Sequence, residues 1–448
     1  MKKLIPPLAA LATTLLIISV LFASGIIEMN NGAGVKKIDL KGISTKISAQ
    51  ESASSLTFKE RMEKGNEYAK KNMISLAFNE YIAANQIEPQ QPEPYIKIGK
   101  LLFEKQDYPR ALEIFQQLLI KDPDNLDANI YLVRTFMMQR KHDKAREILV
   151  TIPGESQQKT YFEGLLATYF GEYEKAKSAF SVTITMNTDA SISEKAKKML
   201  AAFEEFTLNQ GSQEIFLKTL LAKSLNQVGE YTTSIAMLFN VVKEKKDYRD
   251  AWILLGYAYL NMHDKKNAID ALEEAKKLDS NKSETLFFLG LAYHENNQKE
   301  IAAQLIEQAI QKGFEPKIQA KQKLAEIYLE MKAYENAAKN YESVIALNDS
   351  DVNYYIRPMW IYIDQLNQPE KALKLAEKAA EKNPDSAMAQ NLLGWGYIAA
   401  GEHIKARDAL AKALEKDPTL SAAYLNLGKL YERLSQKYTA KEYYRTAY

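Results

Sequence analysis

The chain has no cysteine among its 448 residues. That single absence excludes disulfides, thiolate zinc and iron–sulfur sites, a cysteine nucleophile and a lipid-modified N-terminal cysteine. Glycine (18) and proline (13) are scarce as well, so few positions break helices, and long helices with short connections follow. Charge of one sign is lacking: 59 Lys and Arg stand against 57 Asp and Glu, a net charge of +2. That balance builds no field to draw nucleic acid. What remains, 46% hydrophobic and 26% charged residues, is the balance of a folded protein, with 26 tyrosines as its main excess.

The N-terminus is different in kind. Lys2 and Lys3 precede an uncharged run, Leu4 to Ile27, that ends at Glu28. A helix of this length covers about 36 Å, against roughly 30 Å of bilayer hydrocarbon. Two readings are open: residues 1–28 form an uncleaved transmembrane anchor, or a signal peptide cut near Ala23-Ser24-Gly25. In both, the lysines stay inside and the rest of the chain is exported. With the short "MKK" start, the expected location is a bacterial inner membrane, crossed once, with the bulk of the chain periplasmic, or the periplasm itself after cleavage. Residues 29–57 are polar, poor in aromatics and read as a flexible linker.

The stretch "WILLGYAYLN", Trp252 to Asn261, recurs in variants along the chain and is expected to be core rather than pocket. In a 34-residue frame, units open at Phe58, Pro92, Leu126, Gln157, Ile215, Arg249, Ser283, Ile318, Asn353, Ala387 and Ser421. The eighth residue is Gly or Ala in nine of eleven units, and the twentieth is Ala in ten of eleven. Only minimal side chains at both places let two helices approach so closely, and close packing must offset the roughly 1 kcal/mol that a mid-helix Gly costs. The eleventh residue, often Tyr, fills the space beside that contact. Pro89, Pro123, Pro384 and Pro418 close their units.

Three places depart from the frame. The third unit runs into "TIPGESQQ" from Thr151 and loses its usual ending. An extra segment, residues 191–214, reads as one lone helix with Gly211 as a hinge after it. The ninth unit puts Trp360 at the small position, just after Pro358.

From Phe58 to Tyr448 this pattern resembles the tetratricopeptide repeat. The resemblance implies an all-α chain, an α-solenoid in which about eleven antiparallel helical hairpins wind into a right-handed superhelix, its concave wall lined by the first (A) helix of each hairpin. With the N-terminal transmembrane or signal helix in front, the organisation reads as 1–28 anchor or signal peptide, 29–57 linker, 58–190 N-terminal array, 191–214 extra helix and hinge, and 215–448 C-terminal array.

No catalytic constellation stands out. His142 and His403 fall at the seventeenth position, where other units carry Tyr, His263 falls in a turn, and His294 faces the groove with Glu295 beside it. A metal site needs several converging ligands. Asp122, Asp124 and Asp127 lack the Gly and distal Glu of a calcium loop. There is no phosphate-cradling loop or serine-nucleophile motif. No enzyme activity, cofactor or metal is expected.

Function is then expected on the concave wall. By the resemblance, positions two, five, nine, twelve and thirteen of each A helix face it. The candidate peptide-binding residues are Ile96, Phe103, Ile130, Met137, Tyr161, Tyr169, Phe216, Ile253, Tyr257, Phe287, Leu291, Tyr354 and Trp395. So apolar a wall marks an interaction site. The expected partners are extended or helical segments of other proteins, the membrane through the N-terminal helix, and a second copy through Tyr443, Tyr444 and Tyr448 at the C-terminal end. The expected function is a non-enzymatic, membrane-tethered, extracytoplasmic scaffold for envelope complex assembly. The alternative is a regulatory or chaperone-like subunit of an envelope enzyme, secretion or biogenesis machine.

Overall fold

The computed structural model describes residues 56–209 and 213–447. The apolar run Leu4–Ile27, the linker up to Ser55, the hinge at Gly211, and Tyr448 lie outside these residues. The described chain falls into two compact units, one ending at Lys246 and one beginning at Asp247.

In the first unit the helices are α1 (Phe58–Lys70), α2 (Ile74–Ile87), α3 (Pro92–Glu104), α4 (Tyr108–Lys121), α5 (Leu126–Met138) and α6 (His142–Thr151). They continue with α7 (Gln157–Tyr169), α8 (Tyr173–Met186), α9 (Ala190–Leu208), α10 (Glu214–Gln227) and α11 (Tyr231–Glu244). The second unit holds α12 (Arg249–Asn261), α13 (Lys265–Leu278), α14 (Ser283–Glu295), α15 (Lys299–Gln311), α16 (Lys317–Glu330) and α17 (Tyr334–Leu347). It ends with α18 (Asn353–Trp360), a π turn (Ile361–Gln365), α19 (Pro369–Lys382), α20 (Ala387–Ala400), α21 (His403–Lys416), α22 (Ser421–Arg433) and α23 (Lys437–Ala447). With α9 set aside, these pair into eleven hairpins, and nine of the eleven A helices begin at the residue that opens the 34-residue frame.

One residue reverses the chain at each A-to-B turn. Asn72, Gln106, Arg140, Gly171, Gly229, His263, Asn297, Lys332, Asn367, Gly401 and Ser435 all have φ between 51° and 83°. This left-handed conformation is free of steric cost only for Gly. The residue after it then caps the A helix: Met73 N–H donates to the Tyr68 carbonyl at 2.8 Å and Lys141 to Phe136 at 2.8 Å.

The close approach of each pair is visible at the frame's glycines. A Cβ added at Gly65, Gly99, Gly164, Gly256, Gly290, Gly394 or Gly428 would come within 2.3–2.7 Å of a side chain sixteen residues further on. Those partners are Tyr81, Phe115, Phe180, Leu272, Ile306, Leu410 and Tyr444. Leu255, Gly256 and Tyr259 are buried, so the recurrent stretch is core. In the ninth hairpin the large Trp360 takes the small position, and the helix widens into the π turn, with Leu366 N–H donating to the Ile361 carbonyl at 2.9 Å. Tyr362, one residue earlier than the frame places its tyrosine, donates to Glu342 at 2.8 Å. Tyr293 and Tyr328 make the same bond to Glu273 and Glu307 from the regular position.

The lone helix α9 is pinned by one buried amide. Gln157 donates to the Thr183 carbonyl (3.1 Å), the Asp189 carbonyl (3.0 Å) and Ser193 Oγ (2.8 Å), and accepts from Thr188 Oγ1 at 2.7 Å. α9 packs on α8 and on α10, and so turns the fifth hairpin back over the third. There Thr232 Oγ1 lies 3.7 Å from Met138 Sδ, and Thr233 Oγ1 3.5 Å from His142 Nε2.

The expected location is corrected. Among the described residues, no helix is long and apolar enough to cross a membrane. The longest, α9 with 19 residues, carries Glu194, Lys195, Lys197, Lys198, Glu204 and Glu205. The placement in a bacterial inner membrane or periplasm is therefore set aside; the run on which it rested is outside the described residues.

Candidate functional site

In the first unit the chain fills its own groove. Ile130, Met137 and Tyr161 are 3%, 2% and 3% exposed, and one continuous core runs from Met62 to Met237. The tip of the fifth hairpin, Glu230 to Thr233, covers this face. Burial pushes the Glu230 carboxyl above the usual carboxylate range against the pull of Arg134 and Lys195. Burial likewise raises the Tyr161 phenol, whose hydroxyl makes no hydrogen bond. Tyr169 stacks on His142 with ring centroids 3.8 Å apart. Ile96 and Phe103 stay half-buried, Phe103 edge-on to Tyr131 at 5.5 Å with the Arg134 guanidinium 4.8 Å above both rings. Phe216 is half-buried near Phe206.

The second unit keeps an open cleft of about 600 Å³ on the A-helix face of its first three hairpins. It gathers Tyr257, Phe287 and Leu291 of the sequence-derived set. Ile253 is 8% exposed and sits behind the wall rather than on it. Tyr354 and Trp395 are half-buried elsewhere in this unit, Trp395 under the Lys429 ammonium at 5.9 Å.

The floor is aromatic. Phe314 stacks on Phe287 with centroids 4.0 Å apart, and Phe288 stands edge-on to Tyr257 at 5.2 Å. Phe314 and the cis-linked Pro316 come from the loop after α15, where the spacing between units lengthens to 35 residues. That longer spacing, with "GFEP" inside it, was the signal for this loop, and the frame alone passed over it.

The rim is charged, and its Glu330 is paired while Glu295 keeps a buried oxygen without a hydrogen-bond partner among the described residues. His294 Nε2 lies 3.1 Å from Glu330, whose other oxygen takes Lys299 at 3.0 Å. Burial works against the Glu330 carboxylate, yet Lys299 and His294 hold its ionisation below the usual range. His263 Nδ1 is 3.7 Å from Glu295. Among the described residues, no group of three His, Asp or Glu is placed to hold a metal ion. The cleft offers aromatic and aliphatic surface with a polar edge, which suits an apolar side chain of another molecule better than bond-making chemistry.

At the last hairpin, Tyr443 stacks on Tyr431 at 5.3 Å and Tyr444 donates to Glu432 at 2.7 Å, so both pack on their own hairpin.

This architecture is an all-α helical-repeat solenoid. Tetratricopeptide repeats are present in it: models of that family match residues 102–169, 250–282, 318–351, 364–421 and 409–442. No curated protein matches the chain. Among solved structures, YrrB, a tetratricopeptide-repeat protein with an unusual peptide-binding site, is 19% identical over 42% of this chain and 95% of its own, with a TM-score of 0.35. Yeast Tom70 is 15% identical, covering 87% of this chain and 91% of its own, at 0.30. TTC0263, a thermophilic tetratricopeptide-repeat protein of Thermus thermophilus, is 16% identical over 46% of this chain and 98% of its own, also at 0.30. Likeness at these levels is one of fold alone.

Proposed function

We propose that the chain is a non-enzymatic scaffold that holds peptide segments of partner proteins, and that the cleft between Tyr257 and Lys323 is where it does so. The observation that carries this is the half-exposed apolar surface of Tyr257, Phe288 and Leu291 lining the second unit's cleft, backed by the buried Phe287 and Phe314. Tetratricopeptide-repeat proteins are protein-interaction scaffolds, which agrees with the reading. The occupant is a segment with one or two large apolar anchors, because the apolar surface is local and the Glu330 carboxylate on the rim is already engaged by His294 and Lys299. The reading names no compartment.

Photocrosslinking in the source cell tests it. Benzoylphenylalanine replaces Tyr257 or Leu291, with Lys312, exposed and outside the cleft lining, as control. Discrete protein adducts from the two cleft positions and none from Lys312 are expected. Adducts from Lys312 alone would move the binding surface away from the cleft.

A further inference from the structure

The short helix α6 leaves a gap in the first unit. It has ten residues, where the equivalent helices α2, α4, α8 and α11 each have 14. The chain leaves it at Ile152 through Pro153 and Gly154, so about one helical turn is missing beside α7 and α8. A cleft of about 420 Å³ stands in its place. Leu149, Val150, Leu166, Ala179 and Val182 form the walls. Val150 is 75% exposed and Val182 39%, so the apolar surface reaches the mouth.

Glu163 enters the same cleft half-buried, and makes no hydrogen bond or ion pair with the described residues. Burial raises its carboxyl above the usual range, with Lys159 opposing and Glu155 adding to the rise. Yet the Lys159 ammonium is engaged elsewhere, by the carbonyls of Ile152 at 2.7 Å and Gly154 at 2.9 Å. The other cations at the cleft, Arg146 and Lys175, both close on Glu172. Among the described residues, what is left without a partner at this cleft is negative: Glu163, and the exposed Glu155 at the mouth.

We propose that this cleft docks one turn of a helix from a partner protein, a turn that carries a lysine or arginine among aliphatic residues. The gap has the size of the turn that α6 lacks. The exposed valines offer the aliphatic contact, and Glu163 supplies the acceptor for a charge-assisted bond that no described residue fills. This site is independent of the cleft in the second unit.

The test uses the full chain and a fluorescein-labelled amphipathic helical peptide of leucine and lysine, read by fluorescence polarisation, with a leucine–glutamate peptide as counterpart. The lysine peptide should bind one-to-one and the glutamate peptide should not. Glu163→Gln should weaken binding about tenfold, the worth of one charge-assisted contact at a half-open site. Val182→Asn, which removes apolar surface from the cleft wall without adding charge, should also weaken it, with an unchanged melting curve showing that the fold is kept. Tyr257→Ala should leave it unchanged. Absence of binding, or equal affinity for wild type and Glu163→Gln, overturns the proposal. Displacement of the peptide by spermidine at equal concentration overturns it too, since the ligand would then be a free amine.

Discussion

Replacing Gly256 by alanine adds a single carbon where, of the second unit's glycines, a Cβ would meet its neighbour most closely. The new Cβ would stand 2.3 Å from Leu272 Cγ and 2.8 and 3.0 Å from its two methyl carbons. Carbon atoms in ordinary contact lie about 3.5–4.0 Å apart. Leu272 is fully buried, and its Cγ is held by χ1 with no free space to swing into, so α12 and α13 must separate by about 1 Å. Overpacking of this kind costs about 1–3 kcal/mol. Alanine's better helix propensity returns about 1 kcal/mol. The net expectation is a loss of up to about 2 kcal/mol, or up to roughly 4–8 °C in Tm for a unit of this size. A double-mutant cycle isolates the cause. Leu272→Ala alone should cost about 2–5 kcal/mol through its cavity. In the Gly256→Ala background it should cost at least about 1 kcal/mol less, because the clash goes with the side chain. Calorimetry of the four proteins decides it. A raised Tm for Gly256→Ala, or strict additivity in the cycle, would refute the close-packing account of the repeat glycines.

Two further outcomes concern the first unit. Burial holds the ionisation of His142 below the ordinary histidine value, so the folded state favours the neutral ring. That contribution is present above the unfolded value near 6.5 and is lost as pH falls through the lower folded value. His142→Tyr, the residue found at this position in α4, α8, α11 and α17, should shrink the loss of urea stability on going from about pH 6.5 to 5. An unchanged slope would assign it to other groups. Gln157→Leu should cost about 1–3 kcal/mol by leaving the Thr188 hydroxyl and the Asp189 and Thr183 carbonyls without their amide. It should also speed hydrogen exchange in the first turn of α9, and unaltered exchange there would show that the helix is fixed by its apolar face alone.

The hairpins were legible in the sequence because close packing leaves only Gly or Ala at two positions per unit, and that constraint repeats in one register. The lone helix α9 was legible as an interruption of that register. Its consequence was not. The contact of Thr232 and Thr233 with Met138 and His142 joins residues about ninety apart and follows from how α9 aims the next hairpin, which no periodicity records. The aromatic floor was half legible: Tyr257, Phe287 and Leu291 follow from the frame, while Phe314 and Pro316 sit in the one-residue lengthening after α15. Trp360 was legible as a misfit, but not the π turn that absorbs it, because the remedy depends on where Tyr362 can reach Glu342.

The exposures also separate two kinds of position that the family pattern treats alike. At position five, Ile130, Tyr161, Ile253 and Phe287 are 3%, 3%, 8% and 2% exposed. In the first unit the returning hairpin covers this row, and in the second Phe314 stacks on it. Position nine fares differently in the second unit, where Tyr257, Leu291 and Trp395 all remain half-buried. A side chain with no accessible surface cannot touch a partner without first opening the core, whereas a half-buried one offers contact area at little ordering cost. In α12 and α14, the buried residue that builds the array and the residue that can be read by a ligand are therefore one helical turn apart on the same helix. A partner segment lying across α12 and α14 would meet Tyr257 and Leu291 first, with Phe287 beneath them as support.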